Sequence, residues 1–553
     1  MRPFSIAQRT CEVADATGGV LDVLVVGMGA TGAGVGLDAA SRGLTCAVLD
    51  KGDLAAGTSS KSSKLVHGGL RYLESYEFGL VREGVLERQL LMRLAPHLVR
   101  PMDFVYPVWP DTARRRLLGL GLTTYDVFAG FRNVRRHQRI DSAAAIDLAP
   151  ALARSELAYA YVYGDCGTDD ARLVLAVVQA ARSFGALALP HTEVTGLLFA
   201  KDRVCGAHVC DHLTGEQYVL RARHVVNATG VWVDTLMAQA NPEHRPAVQP
   251  SKGVHVVVPH PRLPLTGASV LLPSKQGDGR SMFAIPWGRQ TILGTTDTAY
   301  HGPLDAVALD EADLVYVLAA GNDVFDAKLT DADVLGAWAG VRPLLRGNGS
   351  AMSDLSRRHA LIDDQRSGLI TITGGKLTTY RRMAADVVDL LVGRDGRRAS
   401  CRTDQIPLGG SGRAFEEVLA DVLAGCAAVG LDAETAELLT AQLGEQAADV
   451  LSLVSGDPTL GAVLSPAAAH VAAEVVQAAR HEGAATLDDV FSRRMRLSLR
   501  ARDAALPAAR RAAGLLAGEL GRDEAWAEAQ VIAYAAAVRV ERGVLGDTLA
   551  VPA

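Results

Sequence analysis

Gly27, Gly29 and Gly32 are spaced as G-x-G-x-x-G directly after the apolar run DVLVV, and Asp50 ends the next apolar run. In that setting the first glycine permits a tight turn, the second lets a pyrophosphate approach the backbone, and the third lets helix and strand pack closely. A helix opening at the motif presents its N-terminus to phosphate charge. Asp50 can accept hydrogen bonds from a ribose diol and would repel a 2′-phosphate, so the chemistry indicated is the binding of an adenine dinucleotide. The glycines alone also suit a plain strand-to-helix turn, and NAD and FAD share them. Three later turns bear on that choice: TSSKSS (Thr58 to Ser63), NATG (Asn227 to Gly230) and TGGKLTTYR (Thr373 to Arg381). Each alone is an ordinary turn; together they suggest one extended cofactor touched from several chain segments.

The elements needed to hold these turns can be read along the chain. DVLVVGMGATGAGVGLDAASRGLTCAVLDKGD alternates apolar run, glycine cluster, alanine-rich helix and apolar run, a βαβ unit. YEFGLVREGVLERQLLMRL predicts a long helix ending near Pro96, and residues 100 to 160 read as irregular and rich in basic clusters. A helix is expected at about 170 to 184, then an antiparallel meander up to NATG, short β-rich runs over 250 to 300, and helix over 301 to 335. Beyond about 400 the alanine content rises, and Thr486 with Asp489 suggests a capping box opening a helix that closes near Pro507.

At 553 residues the chain has room for three or four domains, and its 49% hydrophobic and 21% charged residues describe a folded protein. Lys plus Arg number 56 against 62 Asp plus Glu, a net charge of -6, which argues against a nucleic-acid partner. The seven cysteines are scattered, with no C-x-x-C spacing; they suggest a reducing cytoplasm and no metal site. The N-terminal sequence lacks the apolar core of a secretory signal, and no stretch of about 18 apolar residues offers a membrane span.

The runs GMGATGAGVGLDAASRGL, TSSKSSKLVHGGLRYLE, DDARLVLA, NATGVWVD, SKGVHVVVP, IPWGRQTILGTTDT, GVRPLL and GGKLTTYR resemble, in unbroken order over about residues 20 to 390, the FAD-dependent, quinone-linked glycerol-3-phosphate dehydrogenases. The helical tail is similar to that family's C-terminal domain. The resemblance implies an α/β fold of the D-amino-acid-oxidase-like flavoproteins: a Rossmann-like FAD-binding domain built from discontinuous segments (21–95, 161–245 and 335–398), a β-rich substrate domain (96–160 and 246–334), and a C-terminal helical domain (399–553) after an extension (1–20). It places FAD against Gly27, Gly29, Ala30, Thr31 and Gly32; Asp50 and Lys51; Thr58, Ser59, Ser63, Lys64 and Leu65; His67, Gly68 and Gly69; Ala228, Thr229 and Gly230; and Gly375, Lys376, Leu377 and Thr378.

For the substrate, sn-glycerol 3-phosphate, the resemblance brings Arg71, Arg342 and Arg357 over the cofactor, where planar guanidiniums suit a phosphate dianion. Arg358 is adjacent to Arg357, and either could face the site. Oxidation at C2 needs a base for the hydroxyl proton, and His255, on the strand-like run GVHVVVP, is the first candidate, ahead of His67. Lys376 would add positive charge, and Tyr72 would line the pocket. Electrons are expected to leave to a membrane quinone. Trp109, Leu117, Leu118, Leu120, Leu122, Phe128 and Phe131, flanked by Arg114 to Arg116 and Arg132 to Arg136, suit a segment lying on an anionic membrane, which would place the protein peripherally on the inner face of the cell membrane. A core helix with solvated ends fits the same pattern. A homodimer is compatible with the sequence. The alternatives are a glycerol-3-phosphate oxidase using O2, an amine or amino-acid oxidase on the same fold, and a non-catalytic flavin-binding scaffold; an NAD-only dehydrogenase leaves TSSKSS and GGKLTTYR without a role.

Overall fold

VLDVLVV, ATGAGVGLDAAS and CAVL become strand Val20–Val26, helix Ala30–Ser41 and strand Cys46–Leu49 of one βαβ unit. The computed structural model describes residues 3–73, 77–110, 115–130, 133–155, 157–273, 281–346 and 358–548. The unit is the centre of a sheet whose strands run His359–Asp363, Ile370–Gly374, Gln217–Asn227, Val20–Val26, Cys46–Leu49, Leu187–Leu189. The last five are mutually parallel. Both faces of such a sheet must be covered, which explains the continuous apolar runs. Helices Ala30–Ser41, Asp170–Ser183 and Tyr380–Arg394 cover one face, packing Val35, Leu37, Val174, Val177, Val387 and Leu391 onto Val23, Val25 and Val48. The expected meander forms from Thr192–Ala200, Arg203–Asp211 and Gln217–Asn227, and its last strand also carries the parallel pairing to Val20–Val26.

Among the described residues the second sheet has ten strands, with Val248–Pro259 held between Gln290–Gly294 and Gly336–Leu345. Strand alternation sorts GVHVVVP: Val254, Val256 and Val258 enter one core, while Val257 enters another beside Trp338. Residues 100 to 160, expected to be irregular, instead hold strand Val99–Val108, helix Arg115–Phe128, helix Ser142–Leu148 and the start of strand Tyr159–Thr168. Only Glu311–Val324 is α-helical in the 301–335 stretch. Strand pairing also distributes two segments differently from the expected division. Tyr159–Thr168 and Gly336–Leu345 hydrogen-bond within the second sheet, whereas the resemblance implies that 161–245 and 335–398 belong to the dinucleotide-binding part.

Helices from Phe415–Ala428 to Glu524–Arg542 form the tail around an alanine, valine and leucine core. The capping box at Thr486 is present, with Asp489 accepting from the Thr486 amide at 3.0 Å and Thr486 Oγ1 accepting from the Asp489 amide at 3.1 Å. The helix expected from there does not run to Pro507: Arg496 takes a left-handed conformation (φ 59°) that interrupts it. Pro507 opens helix Leu506–Leu520 rather than closing one, a position where its missing amide hydrogen costs nothing.

Candidate active site

The two sheets and the tail enclose a cavity of about 890 Å³. At one end the G-x-G-x-x-G turn behaves as its spacing requires. Gly27 has φ 104°, and a Cβ there would lie 2.5 Å from the Ala228 carbonyl oxygen; a Cβ on Gly32 would lie 1.8 Å from the Gly27 oxygen. Helix Ala30–Ser41 therefore starts hard against the strand and points its N-terminus into the cavity, which Gly27, Gly29, Ala30 and Thr31 line. Ser59 Oγ accepts from the Ala30 amide at 2.9 Å, tying the TSSKSS loop to that terminus. Asp50 lines the wall and accepts from the amides of Met28 (2.8 Å) and Gly52 (3.1 Å). Burial outweighs these bonds and raises its carboxyl to about 6.

Lys51, Thr58, Ser63, Leu65, His67, Ala228, Thr229, Gly230, Gly375, Leu377 and Thr378 also line the cavity. Four expected cofactor contacts do not: Gly32, where a Cβ would meet the Gly27 oxygen, serves to pack helix against strand, and Lys64, Gly68 and Gly69 are engaged elsewhere. The Lys64 ammonium is buried 3.0 Å from Asp170 and over the Trp338 ring, because an unpaired cation could not be buried there. The Gly68 amide is bonded to Tyr125 and Asp165, and a Cβ on Gly69 would strike the Tyr72 ring at 2.4 Å, so both glycines shape the loop from behind.

The other end gathers His255, Arg342, Lys376 and Tyr72 on the same cavity. His255 stacks on Trp338, its cross-strand neighbour, with centroids 4.8 Å apart and planes 12° from parallel. Its Nε2 is 2.8 Å from Ser63 Oγ, while Nδ1 is buried with no hydrogen-bond partner among the described residues. Burial, then Arg342 and Lys64, push the imidazole well below its ordinary range, so the ring is neutral at pH 7. Arg342 donates to Thr296 O at 3.1 Å and Thr295 Oγ1 at 2.6 Å, with Asp297 3.5 Å away. Lys376 Nζ sits 3.6 Å over the Tyr72 ring. The side chain of Arg71 and all of Arg357 lie outside the described residues. Arg358 is exposed and pairs with Glu77, away from the cavity lining.

Several lining residues carried no sequence signal: Thr192 to Val194, Gln239, Leu304 to Val307, and Ala536, Ala537, Val540 and Glu541 on the last long helix. They come from segments brought close only by tertiary packing, so no spacing pattern could have found them. One cluster of metal-binding residue types, Asp53, His191 and Asp489, occurs among the described residues, and Arg493 and Arg494 already pair with its carboxylates.

Residues 22–381 match the family model described as FAD dependent oxidoreductase, and residues 401–527 match the C-terminal domain of alpha-glycerophosphate oxidase. Glycerol-3-phosphate dehydrogenase 2 of Mycobacterium tuberculosis is 41% identical over 522 residues, 94% of this chain and 88% of its own. The aerobic glycerol-3-phosphate dehydrogenase of Bacillus subtilis is 35% identical over 503 residues, covering 89% and 90% of the two chains. The chain belongs to the FAD-dependent glycerol-3-phosphate dehydrogenase family. The structure of the dehydrogenase from Bacillus halodurans complexed with FAD superimposes with a TM-score of 0.81 at 29% identity, over 97% of this chain and 98% of that one. As a member of this family the chain is an FAD-dependent enzyme. Its glycine turn fits such a cofactor, since the absence of side chains at Gly27 and Gly32 lets helix Ala30–Ser41 start against the strand with its N-terminus facing the cavity.

The segment expected to meet a membrane divides in two. In helix Arg115–Phe128, Leu122 and Tyr125 are buried, and the Tyr125 hydroxyl donates to Asp165 at 2.9 Å. Trp109 is also buried, in the core of the second sheet, so neither it nor Leu122 can face lipid. Leu120 and Val127 are 65% and 51% exposed on the opposite side, and Phe78 is exposed beside Phe128. Arg114, Phe131 and Arg132, and the side chains of Arg115, Arg116 and Leu117, lie outside the described residues. Among the described residues no helix is long and apolar enough to cross a membrane.

Proposed function

We propose that this chain oxidises sn-glycerol 3-phosphate to dihydroxyacetone phosphate and passes the electrons to a membrane quinone. The supporting observation is that His255, Arg342, Lys376 and Tyr72 converge on the cavity that also holds the dinucleotide turn. Bound FAD supplies the acceptor for the hydride that leaves C2. The C2 hydroxyl must lose its proton as the carbonyl forms, and a neutral histidine can take it where a charged one cannot. His255 is neutral, and Ser63 and Trp338 fix its ring; with Ser63 Oγ donating to it from 2.8 Å, Nε2 would be the nitrogen that takes the proton. Arg342 and Lys376 supply the positive charge for the phosphate, with Arg342 oriented by Thr295 and Thr296. Leu120, Val127 and Phe78 offer an apolar face that could rest at an anionic membrane surface, where a quinone is reached.

Anaerobic mixing with sn-glycerol 3-phosphate should bleach the flavin absorbance of the wild-type protein. His255→Ala should keep its flavin and slow bleaching about 10²- to 10⁴-fold. Arg342→Ala should weaken kcat/KM roughly 10- to 100-fold, the loss of a charged hydrogen bond of about 1.5–3 kcal/mol. Wild-type flavin that is not bleached would overturn the substrate assignment. A second reading, transfer to O2, is favoured by the match of the tail to a glycerophosphate oxidase domain. Stoichiometric peroxide under air, with no reduction of a quinone analogue, would establish it instead.

A further inference from the structure

We infer that the C-terminal helical tail is a working wall of the FAD site, latched onto the cofactor loop by Lys61 and Glu541. Glu541 belongs to the last long helix, Glu524–Arg542, which contributes Ala536, Ala537, Val540 and Glu541 to the cavity lining. Lys61 lies in the middle of the TSSKSS loop, and its ammonium pairs with the Glu541 carboxylate across 480 positions of sequence, both side chains largely shielded from solvent.

What the pair holds is the hub of the site. Thr58 Oγ1 donates to Val341 O at 2.6 Å, Ser59 receives the Ala30 amide of the dinucleotide helix, and Ser63 engages His255. The tail grips this loop a second time from the other side. Asp170 accepts from Ser62 Oγ (2.7 Å), the Ser62 amide (3.1 Å) and Lys64 Nζ (3.0 Å), and Arg496 of the tail pairs with the same carboxylate. Between these two grips the Lys61 backbone is seated closely on Gly340 of the second sheet, where a Cβ would lie 2.7 Å from Lys61 Cβ and from its carbonyl oxygen. Loss of the latch therefore opens the wall beside the cofactor and loosens the loop that caps helix Ala30–Ser41. A ligand enclosed by a wall also stabilises the closed form of that wall, so the tail and FAD should reinforce each other.

This inference rests on the family assignment of FAD, and the test separates the two. The holoenzyme and the variants Lys61→Glu, Glu541→Lys and the double swap are compared for flavin release, followed by the fluorescence of free FAD after dilution. Circular dichroism confirms folding in parallel. Each single variant is expected to release FAD at least tenfold faster than wild type. The swap, which restores an ion pair of opposite polarity, is expected to return the rate to within about threefold. Unchanged release in both single variants would overturn the latch, and so would folded variants whose release the swap fails to restore, since that points to direct contact of Lys61 with the cofactor. A wild-type protein that never takes up FAD would instead sink the family assignment.

Discussion

Asp50 and His255 are both titratable groups held away from their ordinary range, with opposite consequences for acid. Burial raises Asp50 from 3.8 to about 6, so its ionised form opposes folding, and this group alone makes the apoprotein more stable as pH falls from above 6 towards 4. A ribose diol donates to the ionised form, so FAD affinity should weaken as pH drops through about 6. Asp50→Asn should flatten that dependence in a flavin-binding titration. His255 is lowered instead, so it contributes stability above its ordinary value near 6.5 that is lost as pH falls below it. The acid limb of kcat/KM assigned to this base should accordingly lie well below 6.5, and a limb at 6.5 would exclude His255 as the base. At this scale the sequence was informative where spacing is local. The glycines and Asp50 are a fixed count apart on one βαβ unit, and the resemblance located His255 and Arg342. It could not show that Lys64 is spent on Asp170, because the two are joined only by folding.

The glycine turn works as an element because helix Ala30–Ser41 can touch strand Val20–Val26. Gly32→Ala puts a methyl group against the Gly27 oxygen and must push the helix off the strand. FAD retention should be lost, together with several degrees of thermal stability by calorimetry. Helix Arg115–Phe128 is amphipathic with its inner face fixed by Tyr125, which leaves Leu120 and Val127 exposed on the other side. Leu120→Asp with Val127→Asp should abolish sedimentation with anionic vesicles while leaving anaerobic flavin bleaching intact; unchanged sedimentation would remove this face from the membrane reading. The apolar pattern of this helix was readable in the sequence, but which of its residues were outward was not. Periodicity gives a stripe, and only the packing of Trp109 and Leu122 into neighbouring elements shows that part of the stripe is core. The break at Arg496 was hidden for a related reason: a left-handed arginine has no sequence signature, and it is held by Asp169 and Asp170 from another unit.

At the scale of the whole molecule, buried ion pairs fasten the tail to the dinucleotide-binding sheet and its helices. Arg172 of helix Asp170–Ser183 meets Glu482 with both side chains almost fully buried. Arg172→Met strands that carboxylate and should cost about 3–5 kcal/mol, whereas Arg172→Met combined with Glu482→Leu should recover most of the loss, because two apolar groups replace the pair. Urea unfolding of the three variants measures this, and equal destabilisation by the single and double changes would contradict it. The central sheet joins strands from distant parts of the chain. Its strand Val20–Val26 lies beside Gln217–Asn227, which lies beside Ile370–Gly374, and the wall is completed by Glu541. A polypeptide emerging from the ribosome therefore cannot assemble this pocket when its first glycine motif appears; it must wait until almost the entire chain has been synthesised. Coenzyme loading is then a late, post-translational event, and nascent chains stalled before residue 370 should emerge colourless.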